Sequence, residues 1–198
     1  PAIDPLTGNL SFTPAPNAPL AGTLELATDV PSRVSVSVSN GQESWTRDFF
    51  DYSTAHALPL LGFKPGGTYS ITVSVFDQSQ AEVSAPAPLA FVTGPLPADF
   101  AKSTLLKSDP ARMEPGYTLF RAQNRTTGKG YLEIVDSSGE VVWYSGVPSI
   151  ADVRQLPNGD LLLPLTTNFV ELSMLGETVR SWPVPQGYAI NLHDGVPT

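Results

Sequence analysis

The sequence contains no cysteine and only two histidines among its 198 residues. Disulfide bonds, thiolate metal sites and cysteine nucleophiles are therefore excluded. The chain also lacks any run of lysine or arginine, and its net charge is -8. This charge argues against binding to nucleic acid or to an anionic membrane through a basic patch. No apolar run approaches the roughly 20 residues that a membrane-spanning helix needs, so no membrane span is expected.

Proline and glycine, in contrast, are abundant, with 20 and 16 residues spread along the chain. They divide it into short segments, several of which alternate apolar and polar residues. In "SRVSVSVSNG", Val34, Val36 and Val38 fall on one face, and the serines at positions 35, 37 and 39 fall on the other. Alternation with period two predicts half-buried antiparallel strands. We therefore predict an all-β fold, preceded by an extended N-terminal segment over residues 1–19.

The corner sequence "LLGFKPGGTYSITVSV" carries a more specific signal. A Pro-Gly-Gly turn (65–67) precedes Tyr69, which opens an alternating strand. This arrangement resembles the tyrosine corner of fibronectin type III domains, in which a tyrosine near the start of strand F hydrogen-bonds back to the preceding corner. The resemblance implies a fibronectin type III-like β-sandwich over residues 20–94, with Trp45 as a core aromatic of strand C. A linker is expected at residues 95–104, where proline and glycine mark a break.

The second half of the chain contains an internal repeat. "YLEIVDSSGEVVWYSGVP" (131–148) aligns with "FVELSMLGETVRSWPVP" (169–185) and brings Gly139 onto Gly176. A period of about 40 residues with several short strands per unit is typical of β-propeller blades. Residues 105–198 are predicted to form about two blades. These are too few to close a ring, because a propeller needs at least about four.

The order of these features resembles a bacterial arylsulfate sulfotransferase of the type that uses no nucleotide sulfate donor. The features are the fibronectin-like block, the linker, "LEIVDSSGEVVWYS", "LPNGDLLL" and the pair His193-Asp194 at the start of the next inner strand. The resemblance implies a six-bladed propeller behind a small N-terminal β-domain. It implies transfer of a sulfuryl group from a phenolic sulfate ester to another phenol through a covalent sulfo-histidine in the central channel. It also implies an extracytoplasmic location, periplasmic or secreted, and often a homodimer.

His193 is the catalytic candidate that this resemblance assigns. A neutral imidazole is nucleophilic near neutral pH, and a second histidine can protonate a leaving phenolate. The residues leave open whether His193 is the nucleophile or the helper, or whether the pair is a surface turn. His56, in "STAHALPL", is interpreted as structural. Trp143 and Trp182 are interpreted as packing residues between blades, with a stacking site for a phenol or sugar as the alternative. No cofactor-binding or metal-binding residue is predicted.

Two functions from different classes fit the sequence. In the first, the chain is the N-terminal part of an arylsulfate sulfotransferase-like protein, catalytically incomplete alone, whose partner is the missing C-terminal propeller part. In the second, it is an extracellular binding or adhesion module with fibronectin-like and propeller domains and no catalysis, since fold does not fix function. Further His-Asp pairs in downstream blades would favour the enzyme.

Overall fold

The computed structural model describes residues 10–85, 87–101, 103–109, 111–147, 152–188 and 190. The described residues form strands and no helix, which confirms the all-β prediction. They accordingly contain no helix long and apolar enough to cross a membrane. The strands are β1 (Ser11–Ala15), β2 (Ala18–Ser39), β3 (Ser44–Leu61), β4 (Thr68–Asp77), β5 (Glu82–Ser84), β6 (Leu89–Val92), β7 (Thr118–Gln123), β8 (Gly130–Val135), β9 (Val141–Val147), β10 (Arg154–Gln155), β11 (Leu161–Pro164), β12 (Asn168–Leu172) and β13 (Thr178–Pro183).

The chain folds into two compact units that are not continuous in sequence. As far as their residues are described, the first comprises Pro1–Pro14, Gly22–Leu60 and Gly66–Gly94, and the second comprises Ala15–Ala21, Leu61–Pro65 and Pro95–Thr198. The second unit thus includes two short pieces from the N-terminal half of the chain. It also includes the segment that the sequence predicts as a linker.

Strands β1 to β6 form one hydrogen-bonded sheet in the order β1-β2-β4-β5, with β3 paired to β2 and β6 paired to β4. The antiparallel register of β2 and β4 places Val34 opposite Val75 and Val36 opposite Val73. All four valines are at most 1% exposed. The serines that alternate with them on β2 are half-buried or exposed. The period-two pattern therefore identified the core face of this sheet correctly.

The corner before β4 agrees only partly with the sandwich hypothesis. Tyr69 is buried, and its ring lies so close to Gly67 that a Cβ at Gly67 would come within 2.5 Å of a ring carbon. Trp45 is half-buried rather than a core residue, because it lies on β3, most of whose first twelve residues are exposed. The fibronectin type III-like sandwich stays a prediction, because the six strands belong to one hydrogen-bonded network rather than to two separate sheets.

The second unit contains two antiparallel sheets, ordered β7-β8-β9 and β10-β11-β12-β13. Three of their hairpins share one turn, at residues 136–140, 156–160 and 173–177. In each turn the first N–H donates to the fifth carbonyl, and the fourth N–H donates to the first carbonyl. The fourth residue is a glycine with φ between 77° and 92°. Glycine enters this left-handed conformation without a Cβ penalty, so the glycines of "SSGE", "PNGD" and "LGE" specify the turns.

The two sheets of the second unit share one hydrophobic core. Its buried members are Ala15, Ala18, Ala21, Leu132, Trp143, Leu161, Leu163 and Leu172. The first sheet contributes Leu132 and Trp143, and the second contributes the three other leucines. Burial of these apolar side chains between the two sheets stabilises the unit, because it removes apolar surface from water.

The contacting faces are not equivalent. Gly139 and Gly176 are each the fourth residue of the shared turn. Ile134 on β8 and Glu171 on β12 each lie five residues before that glycine, so they are equivalent positions of the two sheets. Ile134 packs against the common core, whereas Glu171 lies on the opposite face from the core residue Leu172. The front of the first sheet therefore packs on the back of the second, in a head-to-tail manner. Such stacking is typical of repeat proteins, in which each unit buries its neighbour. The β-propeller itself stays a prediction.

The back of the first sheet is covered by the segment that precedes β7. Phe100 is 5% exposed, and its ring centroid lies 4.9 Å from that of Tyr131 and 5.3 Å from that of Tyr144. Asp99 accepts a hydrogen bond of 2.9 Å from the Tyr131 hydroxyl and pairs with Lys129 at 2.7 Å. The predicted linker is thus a cap on this sheet, which the sequence breakers alone did not indicate.

Candidate functional site

The predicted catalytic residue His193 and its neighbour Asp194 lie outside the described residues. The catalytic role of His193 therefore stays a prediction. The strand that precedes it most closely in the described part of the chain is β13, which forms one edge of the second sheet. The side chains of that sheet are therefore taken as the candidate site.

The other histidine, His56, lies in the first unit on β3. It is 8% exposed, and its Nε2 atom lies 3.0 Å from the carbonyl oxygen of Ser53. Burial lowers the pKa of His56, and the hydrogen bond to the Ser53 carbonyl offsets only part of that effect. A buried imidazole with a backbone partner agrees with the structural role expected from the sequence.

The outward face of the second sheet carries polar groups among apolar ones. Leu162, Glu171 and Arg180 lie side by side across three strands, and Phe169 pairs with Trp182 beside them. Glu171 is only 6% exposed, whereas Trp182 is 43% exposed. The Nε atom of Arg180 lies 4.0 Å from Glu171 Oε2. This face combines a buried carboxylate, a cation and an exposed aromatic ring.

A carboxyl pair lies at the end of this face. Asn158 donates one amide hydrogen bond of 3.0 Å to Asp160 and another of 3.0 Å to Glu171. Burial raises the pKa of Asp160, and so do its hydrogen bond to Glu171 and the negative charge of that residue. Asp160 therefore holds a proton more readily than an isolated carboxyl group does. Among the described residues, no group of three or more histidine or acidic side chains could hold a metal ion.

A second acidic residue is buried in the first sheet. Glu133 is 0% exposed and accepts a hydrogen bond of 3.2 Å from Ser103 through Oε1. Its other oxygen, Oε2, has no hydrogen-bond partner. Burial raises the pKa of Glu133, against the smaller opposing effect of Ser103. The carboxyl thus lies between the cap segment and the sheet, where burial makes its charged form less favourable than in water.

Trp143 occupies the contact between the two sheets. It is 1% exposed, and its indole N–H donates a hydrogen bond of 2.7 Å to the carbonyl of Met174. It also lines a cavity of about 320 Å³. The other lining residues are Leu61, Gly62, Tyr117, Leu119, Ile134, Val142, Gln155, Leu161 and Met174. Trp143 is a packing residue as expected, whereas Trp182 is exposed because it lies on the outward face of the second sheet.

Sequence reasoning did not single out Glu133, Asp160 or Glu171. A signal was present for two of them. Glutamate interrupts the apolar runs "YLEIV" and "FVELS", in which its neighbours are core residues. A charged residue inside a strand that is apolar on both sides is rare unless it has a partner, and it could have been noted for that reason.

Comparison with known proteins adds one finding. Residues 102–198 match the family model of the arylsulfotransferases (ASST). The matched region begins within the cap segment and includes both sheets of the second unit and the position of His193. This part of the chain is therefore arylsulfotransferase-like. No curated protein matches the chain.

Proposed function

We propose that the protein is an arylsulfate sulfotransferase that moves a sulfuryl group between phenols through a sulfo-histidine, with His193 as a histidine of its active site. The observation that carries this proposal is the arylsulfotransferase family match over residues 102–198. The match includes the one histidine of the chain that is not in the first unit.

The proposed reaction has two balanced steps. The imidazole nitrogen attacks the sulfur of an aryl sulfate, an S–N bond forms, and the S–O bond to the phenol breaks. The departing phenolate takes a proton from a general acid. An acceptor phenol then gives its proton to the group that served as the acid and attacks the same sulfur, and the S–N bond breaks to return the free imidazole. Hydrogen-bond donors around the three sulfuryl oxygens would stabilise the charge of the transition state.

The head-to-tail stacking supports the further proposal of a propeller. The face of the first sheet that contains Ile134 is covered by the second sheet. The equivalent face of the second sheet, with Glu171, Phe169 and Trp182, is partly exposed. Repeats that stack by one operation bury such a face against the next repeat. We propose further propeller sequence as the partner of this face, in a ring whose channel holds the substrate.

The proposed function predicts that His193 becomes sulfurylated. The purified protein, with its propeller complete, is mixed with an aryl sulfate whose phenol is coloured, with and without a second phenol. We expect release of the coloured phenol and, when the acceptor is omitted, a peptide containing His193 that is heavier by one sulfuryl group. His193→Asn should lose at least about 10³-fold in turnover, as expected when a nucleophile is removed.

His56→Asn is the matched control, because it replaces the other histidine in the same way. It should leave turnover unchanged, since His56 is bonded to Ser53 in the first unit. Full activity of His193→Asn would contradict the role of His193. Absence of turnover in the unmodified protein, together with saturable binding of a ligand, would favour the binding-module alternative.

We also propose that the protein is extracytoplasmic and forms a homodimer. Strand β3 supports the dimer, because it pairs only with β2 among the described strands and exposes 73% of Phe50. An antiparallel pair of two β3 strands centred on Phe49 would place each Arg47 opposite an Asp51 of the second copy. Opposite charges at facing positions stabilise strand pairs.

The charge arrangement makes the dimer testable. In sedimentation experiments, Arg47→Glu should weaken association at least about fivefold, since each of two cross-strand pairs contributes up to about 1 kcal/mol. Adding Asp51→Arg to that variant should restore association. A monomer at every concentration, or a dimer that both single and double variants leave unchanged, would exclude pairing through β3.

A further inference from the structure

The chain contains two Asn-Gly sequences, Asn40-Gly41 and Asn158-Gly159, and the structure surrounds them differently. Both glycines have a positive φ, 85° at Gly41 and 92° at Gly159. Glycine leaves the backbone nitrogen after asparagine sterically accessible, because it carries no side chain. The same dipeptide in two settings allows the effect of structure to be separated from that of sequence.

We propose that Asn40 is a site of spontaneous deamidation in the folded protein, whereas Asn158 is protected from the same reaction. In this reaction the nitrogen of the following glycine loses its proton to solvent base and attacks the side-chain carbonyl carbon. A C–N bond forms, the bond to Nδ2 breaks, and ammonia leaves. Water then opens the resulting succinimide to give aspartate or isoaspartate.

The hydrogen bonds of Asn40 favour the attack. Its Oδ1 atom accepts hydrogen bonds from the backbone N–H groups of Gln42 at 2.9 Å and Glu43 at 2.8 Å. Two donors on one carbonyl oxygen polarise that carbonyl and stabilise the negative charge that develops on the oxygen during attack. The attacking N–H of Gly41 donates to the side-chain hydroxyl of Ser39 at 3.1 Å, and Gly41 is exposed to solvent. This bond opposes the attack only weakly, because the hydroxyl can rotate away without opening the backbone turn.

The hydrogen bonds of Asn158 oppose the same reaction. Its Nδ2 atom, which must leave, donates to the carboxyl groups of Asp160 and Glu171. The attacking N–H of Gly159 donates to the backbone carbonyl of Leu156 at 2.9 Å, a bond that closes the turn. Reaction therefore requires the turn to open first, and the rate is reduced by the small population of the open state.

The side chain of Asn158 also completes its turn. In the turns at 136–140 and 173–177, the first residue is Asp136 or Ser173, and its side chain accepts the N–H of the fifth residue. In the turn at 156–160 the first residue is Leu156, whose side chain has no acceptor atom. There the N–H of Asp160 donates instead to Asn158 Oδ1, at 3.1 Å. Conversion of Asn158 to aspartate would also place a third carboxylate beside Asp160 and Glu171.

The test compares both sites in one sample. The intact chain is held in mildly alkaline buffer at body temperature, and peptide mapping follows the mass gain from amide to carboxyl at each site. We expect Asn40 to react at least about tenfold faster than Asn158, the factor that an opening equilibrium of modest cost would impose. In concentrated urea the two rates should become equal within about twofold, because both then depend on the dipeptide alone.

Two variants sharpen the comparison. Asn40→Ser removes the reactive amide and should abolish the mass gain in the peptide that contains position 40. Glu171→Gln keeps a side chain of the same size but removes one carboxylate from Asn158 Nδ2, and it should accelerate reaction at Asn158. Equal rates in the folded chain, faster reaction at Asn158, or no reaction at Asn40 while the urea sample converts would each overturn the proposal.

Discussion

Replacement of Trp143 by phenylalanine should destabilise the second unit by about 2–4 kcal/mol. The variant removes the indole N–H from a buried bond to the Met174 carbonyl. A buried acceptor that loses its partner costs about 1–3 kcal/mol. The smaller ring also leaves a space at a position that is 1% exposed, beside an existing cavity, and this adds roughly 1 kcal/mol.

Trp182→Phe is the matched control, because it makes the same change on an outward face where 43% of the side chain is exposed. Its effect should stay within about 0.5 kcal/mol, as is usual for surface substitutions. Urea unfolding followed by far-UV circular dichroism gives both values. Hydrogen exchange of the β8 and β11 amides identifies the second unit as the part that changes. In a thermal melt, each kcal/mol lowers Tm by roughly 4 °C for a unit of this size.

An equal effect of the two substitutions would refute the reasoning. It would mean that Trp143 does not hold the two sheets together, although it lies in their common core. A loss at Trp143 of less than about 1 kcal/mol would mean that the Met174 carbonyl finds another donor when the indole is removed.

Three further outcomes follow from the second unit. Glu133→Gln should raise the free energy of unfolding by about 1 kcal/mol at neutral pH and by less at acidic pH, as measured by paired urea titrations. The pKa of Glu133 is raised in the folded state, so the native protein loses stability as the carboxyl becomes charged, and glutamine removes that loss. A smaller benefit at neutral than at acidic pH would contradict this sign. Gly176→Ala should lower the free energy of unfolding by at least about 1 kcal/mol more than Gly159→Ala does. Both substitutions strain a positive φ, but only the first places a Cβ 2.7 Å from Asn17. Equal melting temperatures of the two variants would contradict the predicted clash. Residues 95–198 expressed alone should be less stable than the same unit in the whole chain, because Ala18 and Ala21 are then missing from the core, and an unchanged Tm would show that they contribute nothing.

Local patterns in the sequence predicted much of the fold. The alternating valines of β2 identified the buried face, and the glycines of "SSGE" and "PNGD" identified hairpin turns. Both features depend on residues close together in the chain, so a short window contains the information. The same holds for Trp143, whose large apolar side chain lies in an apolar strand.

Features that depend on distant residues were not predicted. The abundant prolines and glycines were expected to divide the chain into short segments, yet β2 is a single strand of 22 residues that contains Pro31. Near Pro31, the side chains of Thr28 and Ser32 both donate to the carbonyl of Val30, so this part of the strand is supported by side-chain bonds. The burial of Glu133 likewise depends on a cap segment about 30 residues away, with which no periodicity connects it.

The candidate site was predicted less completely than the fold. The family assignment of the second half agrees with the match over residues 102–198. The carboxyl pair of Asp160 and Glu171 was missed, because the two residues come together through the register of neighbouring strands rather than through their spacing in sequence. Catalysis by His193 remains the proposal that the sulfurylation experiment decides.

The discontinuous second unit has a consequence for biosynthesis. Ala18 leaves the ribosome early, but Leu172, which shares its core, is 154 residues further along the chain. At translation rates of about 5–20 residues per second, these two residues are separated by roughly 8–30 s. During that interval the alanine-bearing hairpin of β1 and β2 is present without its core partners, so the unit can close only after Leu172 has been synthesised. Slowed translation should therefore prolong the time during which this hairpin is open to chaperones and proteases.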